Sequence, residues 1–166
     1  MKKIGILSDT HSFLHPKLFE FFKDVDEIWH AGDFGDIETA ERLQKFKPLR
    51  GVYGNIDNTL VRCSFPLFNV FDIEGVKVVI THIGSYLGNY PDHVLEVIHE
   101  EKPDIFVAGH SHILKITHDK QNRLLFINPG AAGLQGIHYR ITLVRFVVDG
   151  TEFRDMEIFE TEKNTN

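Results

Sequence analysis

The 166-residue sequence has only one cysteine, Cys63. A single thiol cannot form an internal disulfide, and sparse cysteine is typical of reducing compartments, so we expect a cytoplasmic protein. No apolar run approaches the ~18 residues that a membrane-spanning helix needs, and we expect no membrane partner. The basic and then apolar N-terminus reaches Asp9 too early for a secretory signal peptide.

The sequence also lacks a cluster of basic residues. Its 18 Lys and Arg are outnumbered by 24 Asp and Glu, giving a formal net charge of −6. Without a basic stripe to follow a phosphate backbone, nucleic acid is not expected as a bulk partner. A small anionic substrate would instead need cations that bound metal ions could supply. The oligomeric state stays open, with a homo-oligomer as one alternative.

Size and composition indicate one globular domain. Apolar residues make up 42% of the chain and charged residues 25%, and 166 residues are enough to bury a sizeable core. We predict a single domain over residues 1–160, followed by a frayed C-terminus at 161–166.

The first half of the sequence alternates apolar runs with helical patterns. Strands are predicted at residues 3–8, 26–30 and 49–53, and helices at 16–23 and 37–46. Asp36 is the expected N-cap of the second helix. This alternation predicts a parallel sheet built from right-handed crossovers.

After residue 64 the pattern changes to hairpins. The predicted hairpins pair residues 67–73 with 76–80, 114–118 with 123–127, and 140–148 with 151–159. A helix at 92–101 leads to a buried strand at 104–108. The loop at 84–91 should overhang the preceding strand end, where Tyr86 and Tyr90 either stack on a substrate or pack the loop down. The result is an α/β fold, a two-sheet sandwich with helices outside.

Metal-ligating residue types follow five of the predicted strands. Gly109-His110-Ser111-His112 places two imidazoles one residue apart, so that in an extended segment both face one cavity. The other strand ends carry Asp9 and His11, Asp33, Asn55, and His82. Glycines before Asp33, Asn55 and His110 would let the backbone approach the site closely.

These nitrogen and oxygen donors suit divalent Mn, Fe, Zn or Ni, and the absence of thiolates argues against a structural zinc site. Seven ligands are too many for one catalytic ion with an open position, and are about right for two ions that share a carboxylate. Two ions ~3.5–4 Å apart are used for in-line displacement at phosphorus, because they activate a shared water and hold phosphoryl oxygens.

Each of these residues alone has an ordinary structural explanation. An Asp after a strand is commonly a cap or turn residue, and Gly-Asn is common in turns. Five strand ends that agree at once are poorly explained by coincidence. His30 is assigned to the core, and the remaining histidines are interpreted as surface residues: His15, His93, His99, His118 and His138.

The ordered motifs resemble those of the calcineurin-like metallophosphoesterases: Asp9-x-His11, Gly32-Asp33, Gly54-Asn55-x-Asp57, His82 and Gly109-His110-Ser111-His112. The short length and the turn Asn128-Pro129-Gly130-Ala131 resemble the small phosphodiesterase branch, which is related to the non-catalytic scaffold subunit of retromer. The resemblance implies a four-layer αββα sandwich of two mixed β-sheets flanked by helices.

The resemblance also implies two metal sites bridged by Asp33. One ion would be held by Asp9, His11, Asp33 and His112, and the other by Asp33, Asn55, His82 and His110. The implied activity is hydrolysis of a small phosphate ester, foremost a phosphodiester, by a metal-bridging hydroxide, with catalytic roles for Asp33, Asn55 and His82. Two divalent ions are expected as cofactors, with Mn as first choice and Fe, Ni or Zn as alternatives.

Two positions depart from the family pattern. Ile56 occupies a position where many members have a histidine that contacts the phosphoryl group, which puts the leaving-group range in question. Ile83 follows His82 where glycine is common. The alternative to an enzyme is a protein-binding scaffold of the same fold, but a scaffold has no reason to keep all seven ligands.

Overall fold

A computed structural model describes residues 1–85 and 89–163. Its helices are α1 (Pro16–Phe21), α2 (Ile37–Phe46), α3 (Thr59–Ser64) and α4 (Asp92–Glu101). Its strands are β1 (Lys2–Leu7), β2 (Glu27–His30), β3 (Leu49–Gly51), β4 (Phe68–Ile73), β5 (Val76–Thr81), β6 (Ile105–Val107), β7 (Leu114–Asp119), β8 (Leu124–Pro129), β9 (Arg140–Asp149) and β10 (Glu152–Glu162).

The described strands form two mixed sheets. The first has the order β10-β9-β1-β2-β3, and the second has the order β4-β5-β6-β8-β7. β1, β2 and β3 are parallel to one another, as are β5, β6 and β8, whereas the predicted hairpins β4–β5, β7–β8 and β9–β10 are antiparallel. The predicted α/β class with two mixed sheets is confirmed.

Apolar side chains divide the molecule into four layers. Ile4 and Trp29 of the first sheet pack with Val78 and Ile127 of the second in a core between the sheets. The outer face of the first sheet packs on α1, α2 and α3, and the outer face of the second packs on α4. The chain is therefore an αββα sandwich. Among the described helices, none is both long and apolar enough to cross a membrane.

Several element boundaries differ from those predicted. α1 ends at Phe21, two residues early, and α3 was not predicted at all. The prediction of a frayed C-terminus from residue 161 was wrong for Thr161 and Glu162, which pair with Ile141 and Arg140 at the end of β10. Long antiparallel pairing with β9 holds these two residues. Residues 164–166 lie outside the described chain.

Candidate metal centre

The seven predicted ligands sit in loops that follow β1, β2, β3, β5 and β6. Five of them have positive φ angles, which non-glycine residues rarely adopt: Asp9, His11, Asp33, His110 and His112. Such a conformation costs on the order of 1–3 kcal/mol per residue and is typical of functional sites. The surrounding backbone must therefore hold these turns in place.

Hydrogen bonds between the loops provide that support. The Asp9 amide donates to the Gly32 carbonyl at 2.9 Å, and the Gly109 amide donates to the His82 carbonyl at 3.0 Å. Asp57 is buried, and its two carboxylate oxygens accept from the amides of Gly35 and Gly54. The aspartate of the third motif thus joins the loops after β2 and β3.

Two glycines allow the loops to approach one another closely. A Cβ atom at Gly54 would lie 2.0 Å from Asp33 Oδ1, and one at Gly109 would lie 2.0 Å from Ser8 Oγ. Both distances are far below a van der Waals contact. The prediction that glycines at these positions permit close backbone approach is confirmed.

Within the described residues, the side chains form two groups that could each hold a metal ion. Asp9, His11 and His112 make up the first group, and their ligand atoms all lie within 4.8 Å of one another. His112 Nε2 is 3.1 Å from Asp9 Oδ1. His11 Nε2 is 4.0 Å from the same oxygen, and it is buried with no hydrogen-bond partner.

The second group comprises Asp33, His82 and His110. His82 Nε2 is 3.2 Å from Asp33 Oδ2 and 3.0 Å from Asn55 Oδ1. Asp33 lies between the groups, since its Oδ2 is also 3.7 Å from His11 Nε2. The structure therefore brings all seven predicted residues together, with Asp33 in the position that a bridging ligand would need.

The hydrogen bond of the His82 ring shows that a cation fits this site. Its Nδ1 is 2.7 Å from the Ala31 carbonyl, which can only accept, so Nδ1 carries a proton. In the neutral ring, Nε2 then has a lone pair directed at the oxygens of Asp33 and Asn55. A cation between these atoms, or a proton on Nε2, removes the repulsion. His11 Nε2, which has no hydrogen-bond partner and lies 3.7 Å from Asp33 Oδ2, is likewise available to a cation.

The close contacts between carboxylates and imidazoles shift the pKa values of both. Burial raises the pKa of Asp9, but the short contact with His112, the nearby His82 and the Ser8 hydroxyl outweigh it and lower the pKa overall. Burial likewise raises the pKa of Asp33, but the contact with His82, the Ile56 amide and the nearby His11 together outweigh burial and lower the pKa overall. Burial lowers the pKa of His82, but Asp33 and Asp9 outweigh burial and raise it. Both carboxylates are thus held in the charged form that a metal requires.

His30 has the structural role that the sequence predicted. It is fully buried; its Nδ1 accepts from the Gly32 amide at 3.1 Å, and its Nε2 lies 3.0 Å from Thr10 Oγ1. Its ring stacks on Phe34 with centroids 3.6 Å apart. Burial lowers the pKa of His30 to about 3. Both ring nitrogens have protein partners, and the ring needs no metal.

The interpretation of His138 as a surface residue was wrong. His138 Nδ1 is 3.0 Å from His112 Nδ1, and His138 Nε2 is 3.0 Å from the Gly133 carbonyl. The contact depends on the fold of the segment between β8 and β9, which has no periodic sequence signal. Of the other histidines, His15 caps α1 through Nδ1, while His93, His99 and His118 are exposed as predicted.

Tyr90 packs against the second sheet, which is the packing role of the two alternatives considered for it. Its hydroxyl donates to Asp119 at 3.0 Å, and its ring packs edge-on against Phe106. Tyr86, the other tyrosine considered for stacking, lies outside the described residues.

Comparisons with known proteins agree with this geometry. A probable metallophosphoesterase of Methanothermobacter thermautotrophicus is 28% identical over 163 residues, covering 95% of this chain and 92% of the relative. A phosphodiesterase of Methanocaldococcus jannaschii is 29% identical over 146 residues, covering 77% and 82%. The structure of Vps29 from Chaetomium thermophilum superposes with a TM-score of 0.76 at 16% identity, covering 97% of each chain, which shows the shared fold.

The sequence model of the calcineurin-like phosphoesterase superfamily domain matches residues 1–151, nearly the whole chain. The chain therefore belongs to the calcineurin-like phosphoesterase superfamily.

Proposed function

We propose that this chain is a dinuclear metal-dependent phosphodiesterase that acts on small phosphate esters. The observation that carries the proposal is the pair of ligand groups that meet at Asp33, with imidazole Nε2 atoms directed at carboxylate oxygens. The relative named as a phosphodiesterase supports the choice of a diester substrate. The single exposed Cys63 agrees with a reducing, cytoplasmic location.

The residues would divide between two ions as the motifs imply. Asp9, His11, Asp33 and His112 would hold one ion, and Asp33, Asn55, His82 and His110 would hold the other. Mixed carboxylate and imidazole donors suit Mn²⁺, our first choice, as well as Fe, Ni and Zn. When bound, two such ions would acidify a shared water and neutralise negative charge on the phosphoryl group.

The protein's own contribution is to orient these ligands. The Ala31 carbonyl fixes the His82 ring through Nδ1, so that Nε2 faces Asp33 and Asn55. The Ile56 amide donates to Asp33 Oδ1 at 3.0 Å and thereby leaves Oδ2 directed at His11 and His82. Both contacts order the site before substrate binds, which lowers the reorganisation needed for reaction.

The side chain of Ile56 limits the chemistry at the leaving group. Ile56 is 46% exposed beside the proposed ligand Asn55, and it cannot donate a proton. The departing oxygen must then obtain its proton from solvent or leave as an anion. Esters with good leaving groups are therefore the preferred substrates in this proposal.

Metal analysis combined with an activity assay tests the proposed function. Chelator-treated protein is reloaded with Mn²⁺, Fe²⁺, Ni²⁺ or Zn²⁺, the metal content per chain is measured, and hydrolysis of bis(p-nitrophenyl) phosphate is followed. We expect two ions per chain and hydrolysis that depends on them. Asp33→Asn should lose both together, whereas the exposed Asp24→Asn should lose neither.

The same experiment tests the scaffold alternative, which the shared fold with Vps29 motivates. A protein that is fully folded without metal, and that hydrolyses no ester with any of these ions, would support the scaffold and contradict the enzyme. Hydrolysis that survives complete removal of metal would contradict the dinuclear proposal itself.

A further inference from the structure

The His112 ring contacts a second histidine, His138, through the nitrogen that faces away from Asp9, and His138 belongs to none of the family motifs. We propose that His138 is a positioning residue, which fixes the tautomer of His112 and so directs a free Nε2 lone pair into the metal site. The inference rests on the proposed metal centre but not on hydrolysis, because it concerns how one ligand is prepared for binding.

The hydrogen bonds determine where the protons lie when each ring carries one. The Gly133 carbonyl can only accept, so His138 Nε2, 3.0 Å away, carries the proton of its ring. His138 Nδ1 is then an acceptor, and His112 Nδ1, 3.0 Å from it, must be the donor. His112 Nε2 is left without a proton.

The lone pair of His112 Nε2 points at a group that cannot donate to it. Asp9 Oδ1 lies 3.1 Å away and is an acceptor. Two acceptors at this distance repel each other unless a cation lies between them. Without His138, the His112 ring would gain by moving its proton to Nε2 and donating to Asp9, and that proton would compete with a metal ion.

The loop that carries His138 is built to make this contact. Gly136 has a φ of +108°, and a Cβ atom there would lie 2.4 Å from His112 Nδ1, so no larger residue would let the loop pack on the ring. The Gly133 amide donates to the Asp9 carbonyl at 3.0 Å, and Lys163 Nζ donates to the Gly136 carbonyl at 2.8 Å. The loop is thus attached both to the end of β1 and to the C-terminal residues.

In the second ligand group, a main-chain carbonyl is the partner of the ligating histidine. His82 donates through Nδ1 to the Ala31 carbonyl, and its Nε2 faces the ligand oxygens. In metal sites the partner of the non-ligating nitrogen commonly controls affinity, and its loss typically costs ~10–100-fold in metal binding or activity. His138 takes for His112 the role that a main-chain carbonyl takes for His82.

Two substitutions separate the hydrogen bond from the space that the ring fills. His138→Phe keeps a ring and removes both hydrogen bonds. His138→Gln retains an acceptor oxygen for His112 and a donor nitrogen for Gly133, because an amide offers both groups. His118→Phe, on exposed β7, is the matched control. Affinity for Zn²⁺ is measured by competition with a chromogenic chelator, and thermal unfolding of metal-free protein reports on folding.

We expect His138→Phe to weaken the binding of one of the two ions by ~10–100-fold and to leave the affinity for the other ion near the wild-type value. His138→Gln should restore most of the loss, and the His118→Phe control should match the wild type. Equal weakening of both ions, no weakening of either, or Gln behaving like Phe would overturn the proposal.

Nitrogen NMR of the metal-free protein at pH 8 gives a readout that a merely structural role would not change. We expect a proton on His112 Nδ1 in the wild type, and a shift of that proton to Nε2 in His138→Phe. A wild-type His112 with no proton on Nδ1 would overturn the inference. A wild type that binds metal with this tautomer but hydrolyses no ester would contradict only the proposed function.

Discussion

The buried histidines His30 and His82 differ in their hydrogen-bond partners. His30 receives a hydrogen bond from the Gly32 amide on one nitrogen and contacts the Thr10 hydroxyl with the other. His82 has a main-chain partner on one nitrogen only, and oxygens that cannot donate surround the other. A ring satisfied on both sides supports the core, whereas a ring satisfied on one side can bind a cation.

The structural role of His30 predicts a pH dependence of stability. Burial lowers its pKa in the folded protein to about 3, from an unfolded value of 6.5. Between these values the unfolded chain binds a proton that folded His30 does not. The contribution of neutral His30 to the free energy of unfolding is therefore fully present above pH 6.5. It is lost as the pH falls below 6.5, by about 1.4 kcal/mol per pH unit.

This dependence is measured by urea unfolding of metal-free protein between pH 4.5 and 7.5. His30→Gln, which can still accept and donate, should show a slope shallower than the wild type by about one proton between pH 4.5 and 6. The exposed His99→Gln serves as the control. Parallel curves for wild type and His30→Gln would show that His30 is protonated in the folded state.

Ile56 predicts a steep dependence of rate on the leaving group. General acid catalysis is typically worth ~10²–10⁴-fold, and its absence affects poor leaving groups most. We expect kcat/KM to fall steeply across phosphodiesters of rising leaving-group pKa. Ile56→His should flatten this profile, whereas Leu60→His, on exposed α3, should not. A flat wild-type profile would mean that another group already supplies the proton.

At the scale of secondary-structure elements, the two ten-residue helices were predicted to the residue. α2 spans Ile37–Phe46 as expected, and Asp36 accepts from the Thr39 amide at 2.7 Å. α4 spans Asp92–Glu101, also as expected. α3 is six residues long, too short to show a helical period, and its N-cap Asn58 directly follows a motif that was interpreted for its metal chemistry.

The proximity of the proposed ligands was predictable because topology brings these residues together. Each follows a strand, and the carboxyl ends of parallel neighbours lie at one edge of a sheet. His138 follows no such rule. Its contact with His112 requires a loop that passes Gly136 with a positive φ, and nothing in the local sequence signals which way that loop folds. Residues whose placement depends on irregular loops are those that the sequence does not reveal.

Asp57 predicts a coupling between two loops that is independent of metal ligation. It accepts from the amides of Gly35 and Gly54, which precede α2 and Asn55. In Asp57→Asn, one amide would face a donor instead of an acceptor. The expected cost is about 1–3 kcal/mol in the free energy of unfolding of the metal-free protein. Urea unfolding measures this, with the exposed Asp72→Asn as control. An unchanged free energy of unfolding would contradict the role of Asp57 in joining the two loops.

At the scale of the whole molecule, the proposed ligands come from both sheets. Asp9, His11, Asp33 and Asn55 follow strands of the first sheet, and His82, His110 and His112 follow strands of the second. Each of the two ligand groups contains residues from both sheets. Metal binding would therefore join the two halves of the sandwich at the edge where the loops meet.

This arrangement predicts that metal stabilises the entire fold rather than one loop. An ion that binds only the folded state adds about 2.7 kcal/mol at a concentration of 100 times its Kd. We expect Mn²⁺ to raise the single thermal unfolding midpoint of wild-type protein and of Asp24→Asn. Asp33→Asn lacks the negative charge that lies between the two groups and should gain little. If Mn²⁺ instead split the transition in two, or stabilised Asp33→Asn as much as wild type, the ions could not be linking the sheets through Asp33.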